Sequence, residues 1–252
     1  MSPQLAPLPP ARRGTYTFLK DARRTCHVYL AADVDATALK QARTDSGGKV
    51  SYVSFLVKAA AEVLAEIPEA RTVLRAGWRP RVAVVDDVHA KVLFDKTVDG
   101  GRCVVSGVVR SVQDRSVLEV QDGIDVFKDA DPADPEGPFG PIRRMQRLPL
   151  PVARLVYAAA MRDPLRRTSL QGLFSVTSVG QESVREIFPM ISGTLGFGIG
   201  RIADTPVADH GEIRIAPVFT LSLAFDHRVV DGALAAQVLA RTKQKLELWE
   251  LP

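Results

Sequence analysis

The sequence predicts a mixed α/β domain rather than a doubly wound parallel sheet. Helix-like and strand-like segments intermix without a strict strand–helix–strand beat. The chain has 252 residues, enough for one large domain with a sizeable core. No repeat of solenoid or propeller length is visible along it.

The elements follow in order. Residues 1–14 read as a loose, Pro-rich arm, and residues 15–252 as a single domain. Cys26 to Val34 is strand-like, and the Asp33 to Thr37 stretch offers caps for a helix reaching Ala42. Ser51 caps the next helix, whose Val53, Leu56, Val57, Ala60, Val63, Leu64 and Ile67 share one face until Pro68 stops it. Arg81 to Val85, Val88 to Phe94 and Cys103 to Val109 read as strands, with a turn at Gly100-Gly101. Ser116 to Phe127 is an amphipathic helix, and residues 129–141 form a Pro/Asp-rich loop. Pro151 suits the first turn of a helix to Met161. Strand-like runs near 172–177, 193–202 and 212–226 precede a final helix from Asp231 to Trp249.

Composition narrows the function. Lys plus Arg number 33 against 29 Asp plus Glu, a net charge of +4, but the signs interleave without a basic block. That gives no footprint for nucleic acid or a membrane surface. Two cysteines without a C-x-x-C pair argue against a zinc site or disulfide framework, and no metal is expected. The N-terminus has no apolar signal segment, and no stretch reaches the roughly 20 residues of a membrane span. A soluble cytoplasmic protein is the expectation. Gly196-Phe197-Gly198-Ile199-Gly200 lacks dinucleotide-fingerprint spacing and reads as a glycine-rich strand, while Asp209-His210-Gly211 reads as a hairpin turn.

The chemistry concentrates in Leu221 to Gly232 (LSLAFDHRVVDG). Strand alternation places His227 at the end of an apolar row with Leu221, Leu223 and Phe225. Partial desolvation there favours the neutral imidazole, a possible general base. Asp231 follows at the start of a helix as an N-cap or a buried acidic support, and Gly232 permits a tight turn. The plainer alternative is a satisfied core histidine followed by a simple cap.

The D-H-R-x-x-D-G string resembles the signature of the catalytic domain of 2-oxoacid dehydrogenase acyltransferases, the E2 components, in the chloramphenicol acetyltransferase-like superfamily. Residues 32–39 (ADVDATAL), 51–68 and 172–180 (GLFSVTSVG) are similar to further segments of that family. The resemblance implies a mixed sheet flanked by helices in a homotrimer, with the active site between subunits. It implies His227 as general base, Asp231 as its structural support, and Thr177 as the hydroxyl that stabilises the oxyanion, with Ser175 as the fallback. Arg13 is the candidate partner of Asp231, and Gly232 supports the turn. Acetyl-CoA is the implied co-substrate, with no lipoyl group on this chain, and the CoA-contacting residues stay unassigned.

The leading expectation is a stand-alone O-acetyltransferase acting on a small-molecule hydroxyl, such as a tetronate in natural-product biosynthesis. The alternatives are a dihydrolipoamide acyltransferase served by a lipoyl domain on another chain, with that acyl carrier as partner, and a non-catalytic oligomerisation scaffold.

Overall fold

The computed structural model describes residues 7–98 and 100–250. Its helices are α1 (Pro10–Ala22), α2 (Thr37–Asp45), α3 (Tyr52–Glu66), α4 (Val117–Lys128), α5 (Gly140–Arg147), α6 (Leu150–Met161), α7 (Pro164–Gln171) and α8 (Gly232–Glu247). Its strands are β1 (His27–Asp35), β2 (Thr72–Arg75), β3 (Arg81–Val84), β4 (Ala90–Val98), β5 (Gly101–Val109), β6 (Phe174–Ser178), β7 (Leu195–Ile199), β8 (Ala203–Asp209) and β9 (Glu212–Asp226).

Local chemistry explains several boundaries. The Ser51 hydroxyl accepts from the Ser54 amide at 3.2 Å and opens α3. Ser116 and Glu119 form a reciprocal capping box on α4. Pro68 ends the apolar stripe of α3 by starting a separate short turn. The loose-arm expectation is corrected from Pro10 onward, where α1 begins. Its Tyr16 ring lies 5.1 Å beneath the Arg154 guanidinium of α6, a tertiary contact that a local reading does not supply. Residues 1–6 lie outside the described residues. The loop expected over 129–141 gives way to α5 at Gly140.

Seven strands make one sheet in the order β1-β9-β7-β6-β4-β5, with β8 paired to the outer half of β9. The β4–β6 and β6–β7 pairs are parallel and the others antiparallel, so the sheet is mixed as predicted. The run expected at 193–202 is shorter, and β8 begins separately at Ala203. β8 and β9 form a hairpin whose turn residues, His210 and Gly211, both have positive φ.

Register assigns the faces. Phe174, Leu195 and Phe225 stand side by side, as do Val176, Phe197 and Leu223, and this face is buried in the main core with α3 and α8. Ser175 and Thr177 point to the opposite face, in line with Gly196 and Gly198. The glycines there let the chain segment from Ile187 to Ile191 lie directly on the sheet. A Cβ on Gly198 would stand 2.3 Å from the Ile187 carbonyl oxygen. The glycine-rich strand reading holds, and this close approach is its cause.

Candidate active site

β9 delivers Asp226 to the end of the sheet, where the chain turns before α8. The Asp226 carbonyl accepts from the amides of Val229 at 3.0 Å and Val230 at 3.1 Å, and the His227 amide donates to Cys26 O at 2.9 Å. Asp226 is buried, its side chain only 5% exposed. Arg228 grips it in a fork, Nε to Oδ1 at 2.8 Å and Nη2 to Oδ2 at 2.6 Å. Two residues flanking His227 therefore pin the turn that carries it. Sequence reading assigned neither of them a role, although the D-x-R spacing is visible.

His227 Nδ1 lies 3.1 Å from the Val230 carbonyl oxygen. A carbonyl can only accept, so Nδ1 carries a proton, and in the neutral imidazole Nε2 is the nitrogen with the lone pair. The Phe225 ring stands edge-on to the imidazole at 5.4 Å between centroids. The expected desolvation is corrected here: the strand ends at Asp226, and within one chain His227 is exposed.

Asp231 is also exposed rather than buried, and its carboxylate accepts from the Leu234 amide at 2.8 Å as the N-cap of α8. Among the described residues no ion pair joins it to Arg13. Arg13 sits on α1, which packs against α5, α6 and β5. Within one chain the Arg13–Asp231 pair that the resemblance implies is not formed among the described residues. Gly232 begins α8 and adopts no positive φ.

Thr177 and Ser175 line a cavity of about 450 Å³ over the second face of the sheet. Its walls come from α1, α5, α6 and the segment after Ile187. His227 is not among the lining residues. Thr177 is level with Gly198 and Ser222, and His227 lies beyond the end of β9, on the other side of β7. At about 3.3 Å per residue and about 4.8 Å per strand, the Cα of Asp226, the last residue of β9, stands about 13 Å along the strands and about 10 Å across them from that of Thr177. One chain does not bring the base and the hydroxyl together.

His27 and His89 are held by backbone groups, while His210 is exposed in the hairpin turn. The Ser111 amide donates to His89 Nδ1 at 3.0 Å, and burial holds the His89 pKa below its ordinary value. Among the described residues no group of three His, Cys, Asp or Glu side chains could hold a metal ion, and no helix is long and apolar enough to cross a membrane.

A family model described as the catalytic domain of 2-oxoacid dehydrogenases acyltransferase matches residues 2–130 and 152–251. The chain belongs to this family. The dihydrolipoyllysine-residue acetyltransferase component of the Bacillus subtilis pyruvate dehydrogenase complex is 28% identical over 232 residues, covering 87% of this chain and 44% of that protein. The chain thus spans about half the length of the curated relatives it matches. Among solved structures, a truncated catalytic core of the Thermoplasma acidophilum 2-oxoacid dehydrogenase complex aligns with a TM-score of 0.69 at 19% identity, covering 98% of this chain and 99% of that one. A chloramphenicol acetyltransferase aligns with a TM-score of 0.54 at 14% identity, over 95% and 96% of the two chains. The fold of this acyltransferase-family chain is therefore the chloramphenicol acetyltransferase-like mixed sheet.

Proposed function

We propose that the chain is a CoA-dependent acyltransferase, assembled as a homotrimer, that moves an acetyl group from acetyl-CoA to the hydroxyl of a small molecule. The carrying observation is the contact of His227 Nδ1 with the Val230 carbonyl, which leaves Nε2 as the accepting nitrogen of the neutral ring, on a turn locked by Asp226 and Arg228. In this reading Nε2 takes the proton of the acceptor hydroxyl as its oxygen attacks the thioester carbonyl. The Thr177 hydroxyl of an adjoining copy donates to the developing oxyanion. The C–S bond then breaks, the acyl group stays on the acceptor, and the sulfur leaves with the proton held by His227. Exposed apolar side chains on α6, including Leu155 at 73% exposure, give the chain a surface suited to a neighbouring copy.

CoA release from acetyl-CoA in the presence of an alcohol acceptor tests the reading. His227→Ala is expected to lose about 10²–10⁴ of the rate. Equal activity in that variant overturns the mechanism.

A second reading keeps the chemistry and changes the acceptor to the thiol of a dihydrolipoyl group carried on another chain. The names of the curated relatives favour it. Faster transfer to free dihydrolipoamide than to any alcohol would decide for it.

A further inference from the structure

The cavity beside Thr177 contains a charge that the proposed acyl transfer does not use. Lys91 lies on β4, beside Ser175 in the register, with only 9% of its surface exposed. Its ammonium donates to the Gln171 side-chain oxygen and sits 4.6 Å from the centroid of the Phe18 ring. No carboxylate among the described residues pairs with it, and burial alone pushes its pKa down to about 8. An ammonium has three donors, and Gln171 occupies one. A buried cation is costly unless an anion or further acceptors meet it.

The surroundings fit a ligand of particular chemistry. The rest of the lining is mostly apolar, including Phe18, Leu93, Ile142 and Met145. Tyr157 lines the same space, and its buried hydroxyl approaches Ser192 without closing a well-formed hydrogen bond. A cavity of this size with few convergent polar groups is typical of a small-molecule site. The Cα atoms of Lys91 and Thr177 are about 8 Å apart, one strand spacing across and two residues along.

We propose that this cavity is the acceptor site and that it takes an apolar molecule bearing a carboxylate or acidic enolate, which Lys91 selects by pairing with its charge. The assignment to the acceptor rests on the acyltransferase reading; the binding of an apolar anion does not. Lys91 is then a specificity residue, and it places the anion within one small molecule's length of Thr177.

Calorimetry with octanoate and octan-1-ol at pH 7 tests the site directly. The wild-type chain is expected to bind octanoate about tenfold or more tighter than octanol, as a charged hydrogen-bonded pair requires. Lys91→Met is expected to lose that preference and keep octanol, with its melting temperature unchanged or raised, which separates lost binding from unfolding. Octanoate bound no tighter than octanol by the wild type, including no binding of either, overturns the proposal. So does undiminished octanoate binding by Lys91→Met. Acetyl-CoA turnover separates the two readings. Anion preference without His227-dependent turnover leaves the site standing and removes the transfer, and turnover without anion preference does the reverse.

Discussion

Lys91 makes a stability signature of its own. Its folded pKa, about 8 against an ordinary 10.5, lies below the unfolded value because burial penalises the charged form. Between those values the unfolded chain binds the extra proton, so stability rises with pH through that window. Below about pH 8 the penalty is present in full, about 3 kcal/mol at about 1.4 kcal/mol per pH unit. Lys91→Met is therefore expected to stabilise the protein by up to that amount in urea unfolding at pH 7, and by little at pH 10.5. An equal effect at both pH values would contradict the account. Asp226 works in the opposite direction. Asp226→Asn removes the carboxylate that Arg228 grips, and we expect a loss of about 1.5–3 kcal/mol together with reduced turnover as the His227 turn loosens. Arg228→Lys, which cannot form the fork, should show a smaller version of both effects.

Elements divide by where their stabilisation comes from. α3, α4 and α8 were readable because Ser51, Ser116 and Asp231 cap them and their apolar residues repeat at helical spacing. α1 was not, because its proline-led start with Gly14 and no side-chain cap reads as loop, and its support comes from α5, α6 and β5. β8 escaped because Pro206 interrupts it. Pairing only with β9, it is an edge strand and tolerates that proline. The same distinction governs Asp231. As a plain cap, Asp231→Ala should cost about 1 kcal/mol, and Asp231→Ser should restore most of it. Failure of serine to rescue would point to a further partner for the carboxylate. At Gly198 a Cβ would meet the Ile187 carbonyl oxygen at 2.3 Å and Ser222 Oγ at 2.5 Å. Gly198→Ala is expected to destabilise by about 1–3 kcal/mol and to disturb the cavity wall that follows Ile187. An unchanged unfolding curve would contradict that packing.

At the scale of the molecule, the candidate site was legible as residues but not as a place. His227 and Thr177 could be picked from their motifs, and the Nδ1 bond to Val230 could not, since it depends on a turn set by Asp226 and Arg228. Lys91 gave no signal at all, because a lysine in a strand ordinarily faces solvent and only the packing of α1 and α7 over it buries it. The sheet register separates His227 from Thr177 within one chain. In the proposed homotrimer every site combines the histidine of one copy with the threonine of the next. The most direct test is to mix inactive His227→Ala and Thr177→Ala proteins, exchange their subunits, and measure CoA release. Random assembly places both intact residues at about a quarter of the sites, so the mixture should recover about that share of wild-type activity. Activity no higher than the average of the two variants, after exchange is verified, would contradict a site shared between chains.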